Sequence, residues 1–152
     1  MIRTDPSLVV PFLQQHLLRI GITDFSGVSL EKIIVAQRER CKTVKDMAIA
    51  SRFFFGSTIE MDPKAVDKHL TGDALALMAN LSSRLEALSE WTVESIHSVV
   101  AATATELGLS LGKIAQPLRV AVTGSTVSPP IDQTLAILGR VRTLARIHTV
   151  LT

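Results

Sequence analysis

The sequence is poor in the residues that build several common kinds of site. Its 152 residues include one cysteine and no tyrosine, and aromatic residues make up only 4% of the chain. A single cysteine excludes an internal disulfide and a cysteine-rich zinc site. The longest stretch without Asp, Glu, Lys or Arg runs for 13 residues, from Pro6 to Leu18, whereas a membrane-spanning helix needs about 20 residues. We therefore expect a soluble cytoplasmic domain.

Motifs for catalysis and metal binding are also absent. The four histidines are scattered, and no two of them stand three or four residues apart as a local metal pair would. The sequence has no phosphate-binding P-loop and no dinucleotide-binding fingerprint. Cys41 lies among Arg and Lys residues that favour a thiolate, but no histidine is near it in sequence to act as a base. We expect no catalytic residue and no metal site.

Apolar residues make up 47% of the chain and recur at helical spacing rather than in alternation. Asp5-Pro6 and Asp62-Pro63 each combine an N-cap with Pro at the first helical position. Further helix starts are predicted at Ser29, Thr43, Asp73, Thr92, Ser128-Pro129 and Thr143. The pattern predicts an all-α fold, a helical bundle or cage of about nine short helices. It divides into two subdomains, 1–55 and 56–152, because Gly56, Ser57 and Thr58 break the periodicity.

Two details of this pattern can be checked against a structure. In the first helix Val9, Phe12 and Leu13 are predicted to share the buried face. Pro11 and Pro117 fall inside helical patterns, and we expect each to kink or restart its helix because Pro lacks the N–H that the helix needs.

The net charge of +2 hides an uneven distribution of charge. Residues 32–52 contain six basic and two acidic residues, and residues 107–152 contain five basic residues and one acidic residue. Residues 53–106, between them, contain three basic and eight acidic residues. Two basic segments suit an anion such as a nucleic-acid backbone, although solvated helix faces would give the same pattern. With one Trp and no Tyr, base recognition would depend on Arg, hydroxyl and backbone groups rather than on aromatic stacking.

Three stretches of the chain resemble a known family. Residues 38–47 lead into Arg52-Phe53-Phe54-Phe55, Trp91-Thr92 opens a helix, and residues 111–125 read LGKIAQPLRVAVTGS, ahead of Ser128-Pro129. Together they closely resemble the C-terminal anticodon-binding region of bacterial glutamyl-tRNA synthetases, which are class I aminoacyl-tRNA synthetases. The resemblance covers nearly the whole chain. It implies an all-helical module whose two subdomains, 1–55 and 56–152, grip the anticodon loop of glutamate tRNA.

The same resemblance implies what this chain does not do by itself. The catalytic half of the family carries HIGH and KMSKS signatures, and neither occurs here. We expect no catalysis and no cofactor in this chain, whereas its parent would join glutamate to tRNA using ATP and Mg²⁺. Glutamate tRNA is the expected partner of a monomer that binds neither DNA nor membranes. The alternative is a helical protein-interaction module that binds an acidic partner.

The resemblance assigns anticodon contacts to five residues. Arg40 matches an arginine that reads the third anticodon base, and the rigid fork of guanidinium donors suits a base edge. Arg119 matches an arginine that lies against the anticodon. A turn that touches the anticodon bases in the family is matched by Ser128, Pro129 and Ile131.

Two further features bear on these contacts. Pro130 stands where relatives often carry a small residue, and the fixed φ of Pro stiffens the turn. Six cations are candidate phosphate contacts by their charge alone: Arg38, Lys42, Lys113, Arg140, Arg142 and Arg146.

Overall fold

A computed structural model describes residues 5–56 and 59–152 of the chain, and every regular element in these ranges is helical. The predicted all-α fold is confirmed. The contacts divide the chain into two compact units, Met1–Gly56 and Ser57–Thr152, with the boundary one residue beyond the predicted one. The α-helices of the described ranges are α1 (Pro6–Arg19), α2 (Leu30–Gln37), α3 (Val44–Ala50), α4 (Pro63–His69), α5 (Gly72–Glu86), α6 (Val93–Leu107), α7 (Leu111–Thr123), α8 (Ile131–Leu138) and α9 (Arg140–Leu151).

In the first unit α1 packs against both α2 and α3, and a short 3₁₀ helix (Arg52–Phe54) follows α3. The predicted caps form: Asp5 accepts from the Ser7 backbone N–H at 2.9 Å, and Ser29 and Thr43 cap the next two helices. The fully buried side chains that hold this unit together are Leu13, Leu17, Ile33, Ile34, Met47 and Phe54.

One expectation for α1, the burial of Phe12, is wrong. Phe12 is 60% exposed, because the buried stripe follows Val9, Leu13 and Leu17 at a spacing of four residues and leaves Phe12 to one side. The helix also continues through Pro11 without interruption. The carbonyl that loses its helical donor there belongs to Ser7, which is exposed, so water can replace the missing N–H.

The second unit packs α5 against α9, α6 against α8, and α7 against both α4 and α9. Its most enclosed helix is α7, in which eight residues are buried. Pro117 is one of the eight and lies inside an uninterrupted helix, so the predicted new start at this residue is wrong. The carbonyl left without a helical donor is that of Lys113, an exposed residue of the first turn, so water can replace the missing N–H.

Thr143 was predicted to cap the last helix, but α9 begins at Arg140. Gly139, with φ 84° and ψ 161°, turns the chain directly from α8 into α9 in a conformation that is open to glycine. Thr143 is fully buried in the second turn of α9 instead. Because of this earlier start, Thr143, Arg146 and Ile147 form the inward face of the helix.

Candidate nucleic-acid interface

A close backbone approach fixes the C-terminal end of α7. Gly124 has φ 82°, and a Cβ at this position would lie 2.0 Å from the carbonyl oxygen of Glu60. The Asp62 N–H also donates to the Gly124 carbonyl at 2.8 Å. Only glycine fits this site, since any side chain would meet both an unfavourable φ and a backbone atom. The end of α7 is therefore a fixed base for the turn that follows.

Side-chain hydrogen bonds order this turn, which comprises residues 125–130. The Ser125 N–H donates to Oγ1 of Thr123 at 3.2 Å, and the Val127 N–H donates to Oγ of Ser125 at 3.0 Å. From α8, the fully buried Thr134 donates its hydroxyl to the Pro129 carbonyl at 3.0 Å. The turn is thus held from both of its ends before any ligand arrives.

Arg119 reaches this turn from α7. Its Nε donates to Oγ of Ser128 at 2.8 Å, and its Nη1 donates to Oε1 of Gln116 at 2.6 Å. We call Gln116, Arg119 and Ser128 the Arg119 cluster. Both of these acceptors are uncharged. Arg119 is half-buried, and the two bonds direct its guanidinium toward the ordered turn.

The structure brings Arg119 and the three predicted turn residues together, but it buries the turn residues more than expected. Ser128, Pro129 and Ile131 are all buried. The apolar surface of the turn is instead formed by Val127, which is 65% exposed, and by Pro130. Direct base contacts by the three buried residues stay predictions. Val127 escaped the sequence analysis because a single apolar residue within a loop gives no periodic pattern.

In the first unit, Arg40 lies in the turn that follows α2. The backbone N–H groups of Arg40 and Cys41 donate to the Gln37 carbonyl at 2.9 and 3.0 Å. Gln37 is itself buried and donates its side-chain amide to Oγ of Ser51 at 3.3 Å, which ties the turn to the end of α3. Arg40 and Lys42 are exposed, and within the described ranges neither side chain makes a hydrogen bond or an ion pair. Arg38, beside them, is half-buried.

Cys41 sits in the same turn, but its chemistry differs from the sequence expectation. Burial raises the pKa of the Cys41 thiol, and the opposing charge of Arg40 does not outweigh that effect. A raised pKa keeps the sulfur protonated at neutral pH, and the thiolate is the nucleophilic form. Cys41 is therefore a poor candidate for catalysis.

Arg140, one of the candidate phosphate contacts, holds a loop of its own unit. Its Nη2 donates to the Leu88 carbonyl at 2.5 Å, and its guanidinium carbon lies 5.5 Å from the centroid of the Trp91 ring, a cation–π distance. The Trp91 Nε1–H donates in turn to the Leu135 carbonyl at 2.8 Å. Arg140 thus joins the start of α9 to the loop before α6.

Arg146 is the most deeply placed of the candidates. It is 3% exposed, and its Nη1 donates at 2.8 Å to the carbonyl of Val122 in the last turn of α7. Burial, with a smaller contribution from Arg142, lowers the pKa of Arg146 to about 10. A cation that satisfies a C-terminal carbonyl of a helix is a stabilising cap. This placement does not favour the predicted phosphate contact, whereas Lys113 is exposed and Arg142 half-buried.

Two other features are absent from the described ranges. Nowhere in them do three or more His, Cys, Asp or Glu side chains come together as metal ligands. Their longest helices have 15 residues, and none of them has the length and apolar character needed to cross a membrane.

Comparisons with known proteins agree with this geometry. Residues 7–151 match a family model described as an anticodon binding domain. Over 148 residues the chain is 43% identical to glutamate–tRNA ligase 1 of Alkalilimnicola ehrlichii, a match that covers 97% of this chain and 31% of that protein.

Two crystal structures are also similar to this chain. A glutamate tRNA ligase from Elizabethkingia meningosepticum in complex with its amino acid gives a TM-score of 0.85 at 25% identity, covering 97% of this chain and 29% of that one. A glutamate-tRNA synthetase from Elizabethkingia anophelis gives a TM-score of 0.81 at 25% identity, covering 98% of this chain and 29% of that one. The chain thus spans less than a third of the length of these relatives. Because the family model matches almost every residue from one end to the other, the chain belongs to the anticodon-binding domain family.

Proposed function

We propose that this chain binds the anticodon loop of glutamate tRNA as part of a longer glutamate–tRNA ligase. The observation that carries the proposal is the Arg119 cluster, in which a guanidinium is held in one direction beside an ordered turn. Support for glutamate tRNA in particular comes from the 43% identity to a glutamate–tRNA ligase. Proteins read single-stranded loops through splayed bases, whose edges accept hydrogen bonds and whose faces pack on side chains.

In the proposed mechanism phosphate contacts set the register and base-edge contacts set the identity of the RNA. Arg119 donates to a base edge, and the exposed Val127 and Pro130 pack against an unstacked base. Arg40 reads the third anticodon base. Phosphates are met by exposed cations of each unit, among them Lys42 and Lys113.

We propose that the ligation reaction itself takes place outside the region that this chain spans. We propose that ATP and Mg²⁺ are bound by parts of the relatives' polypeptide that this chain does not span, and that this chain holds no cofactor of its own. We further propose a cytoplasmic monomer that binds neither DNA nor membranes. The comparisons support RNA rather than an acidic protein as the partner.

Equilibrium binding of the 152-residue chain to two RNAs tests this function. One RNA is a glutamate tRNA transcript, and the other is the same transcript with a different anticodon. We expect tighter binding of the first and a steep loss of affinity between about 50 and 200 mM salt, because counterions are released from the phosphates. Equal affinities for both RNAs would contradict anticodon recognition. Displacement by poly-glutamate at equal charge would instead favour the acidic-partner alternative.

A further inference from the structure

We propose that a groove of the second unit, between α5 and α7, holds one unstacked nucleotide of the bound RNA beside the Arg119 cluster. The proposal rests on the proposed function for its ligand and adds a second contact surface to it. The groove has a volume of about 780 Å³, and protein sites for small molecules usually measure about 300 to 1,000 Å³. The last turn of α4 and the connection from α6 to α7 complete its lining, so it belongs to one compact unit.

The wall of the groove is largely apolar. Leu77 of α5, Leu109 of the loop before α7, and Pro117 of α7 line it. Ala76 lines it too, and its small side chain leaves space at the surface. Every base has a face that can pack on such a wall once the base has left its stack. None of these side chains carries a hydrogen-bonding group, so the wall accepts a base without selecting among the four.

Two ammonium groups accompany this apolar wall. Lys68 and Lys113 line the groove and are exposed, and within residues 5–56 and 59–152 neither side chain makes a hydrogen bond or an ion pair. They outnumber Asp73, the acidic residue among the described lining residues. Ser110, the N-cap of α7, also lines the groove and makes no side-chain cap bond, and the helix dipole favours an anion there. Because phosphates flank each nucleotide of an RNA chain, two cations beside an apolar wall suit one nucleotide.

The groove is continuous with the surface that is proposed to meet the anticodon. Gln116 lines the groove, and its Oε1 accepts from Nη1 of Arg119 at 2.6 Å. The two residues stand three positions apart on α7, a spacing that places both side chains on one face of the helix. Neighbouring nucleotides of one strand can therefore meet the Arg119 cluster and the groove. An apolar peptide would also fit the wall, but the two lysines favour a nucleotide.

Opposite changes in the size of the groove should both weaken RNA binding. Ala76→Phe fills the groove, whereas Leu77→Ala removes part of the wall. We expect each to reduce the affinity roughly three- to tenfold, the lower end of what packing a base on a side chain contributes. Cognate and anticodon-swapped tRNA should lose affinity alike, because the wall does not select among bases. The matched controls on α5 are Ala79→Phe, which is exposed like Ala76, and Leu75→Ala, which is half-buried like Leu77; neither residue lines the groove.

The lysines provide a second, electrostatic test. Lys113→Gln should reduce the slope of log affinity against log salt by about 0.7 to 1, whereas Lys64→Gln, an exposed change outside the groove, should leave the slope unaltered. In an Ala76→Phe background Lys113→Gln should cost less than in the unsubstituted chain, because an excluded nucleotide takes its phosphate with it. Equal losses in both backgrounds would overturn a site for a single nucleotide.

Equilibrium binding of the 152-residue chain and its variants to both tRNAs provides these measurements, and circular dichroism verifies that each variant is folded. If Leu77→Ala unfolds, Ala76→Phe and Lys113→Gln decide the question. Unchanged affinity of a folded Ala76→Phe variant would overturn the groove as an RNA site, leaving an apolar peptide as its occupant and the proposed function standing. A loss for Ala76→Phe with none for a folded Leu77→Ala variant would indicate steric hindrance and would also overturn it.

The proposed function fails in a different way. Equal affinities of the unsubstituted chain for the two tRNAs would overturn anticodon recognition, whereas a lower affinity of the groove variants for both RNAs would still support the groove. An unsubstituted chain that binds neither RNA would overturn both.

Discussion

The two basic segments contain the same kinds of side chain but use them differently. In the first unit Arg40 and Lys42 stand exposed on a turn, and no described residue pairs with them. In the second unit Arg119, Arg140 and Arg146 each donate to an identified oxygen of the same unit. Both segments had looked equivalent when their charges were counted along the chain. The difference teaches that basic residues counted along the chain are not equally available: Arg140 and Arg146 are bonded within their unit, whereas Arg40, Lys42 and Lys113 are exposed.

The reason for the difference lies in what surrounds each segment. The second unit has helix ends and loops whose carbonyls lack partners, and an Arg can reach them with several donors while its stem stays buried. Arg146 satisfies a carbonyl at the end of α7, and Arg140 satisfies one in the loop before α6. In the first unit the turn after α2 is held instead by the neutral Gln37. Arg40 and Lys42 therefore lie exposed beside a turn that a neutral side chain holds in place.

The largest effect that would test this comparison is on stability. We expect Arg146→Ala to lower the free energy of unfolding by about 2 to 4 kcal/mol, because it removes a charge-assisted hydrogen bond and leaves a cavity beside α7. Arg40→Ala should change the same quantity by less than about 0.5 kcal/mol, as exposed substitutions usually do. Urea unfolding followed by circular dichroism measures both.

The comparison fails if these two variants are equally stable. Arg146→Met keeps most of the buried volume and removes only the donors and the charge. It should lower the free energy of unfolding by less than Arg146→Ala does, because the packing around the stem survives and a cation no longer has to be buried.

The next effect is on RNA binding. Arg40→Ala and Arg119→Ala are each expected to cost about 1 to 3 kcal/mol in binding cognate tRNA, with relaxed anticodon specificity. The two should differ in stability: Arg119→Ala also loses its bonds to Gln116 and Ser128, about 1 kcal/mol net, whereas Arg40→Ala loses none. Binding isotherms with anticodon-swapped tRNA, alongside unfolding curves, measure both quantities. Unchanged discrimination in both variants would contradict the assigned roles.

A smaller effect is expected for Arg140→Lys, which keeps the charge and removes the guanidinium. Stability should fall by about 1 kcal/mol, because Lys cannot reproduce both the bond to Leu88 and the planar contact with Trp91. RNA affinity and its salt dependence should stay the same if Arg140 is structural. A lower RNA affinity with unchanged stability would instead indicate that Arg140 contacts RNA. Trp fluorescence reports on the loop during the same unfolding experiment.

Helix starts could be predicted from sequence because their causes are local. Asp5, Ser29, Thr43, Asp62 and Thr92 all cap helices as expected, since an oxygen on a short side chain needs only the next few N–H groups. Thr143 has the same local chemistry and failed, because the backbone conformation of Gly139 starts α9 one turn earlier. The residue at which α9 begins depends on how α8 and α9 pack against each other. A short stretch of sequence gives no information about that packing.

Site residues could be predicted from sequence where helical spacing alone determined which side chains meet. They could not be predicted where burial determined which side chains are accessible. Gln116 precedes Arg119 by one helical turn, and this spacing could have identified it as a partner. Arg146 could also have been placed inside, because it neighbours Ile147 and lies three residues after Thr143 on one face of α9. A count of charges along the chain considers neither the spacing of Gln116 and Arg119 nor the position of Arg146 on its helix. The burial of Ser128 and Pro129 had no such signal, because it depends on how the turn lies against α8, from which the buried Thr134 donates to the Pro129 carbonyl.

The smallest expected effect concerns the exposed cations, and it distinguishes the two units most directly. If Lys42 meets a phosphate, Lys42→Gln should weaken cognate and swapped tRNA alike and reduce the slope of log affinity against log salt by about 0.7 to 1. Lys64→Gln, an exposed change of the same charge on α4, is the control and should leave the slope unaltered. Arg146→Met should also leave it unaltered, because a cation that is 3% exposed and bonded to Val122 releases no counterion from RNA. A reduced slope for Arg146→Met, with none for Lys42→Gln, would reverse the roles assigned here to Lys42 and Arg146.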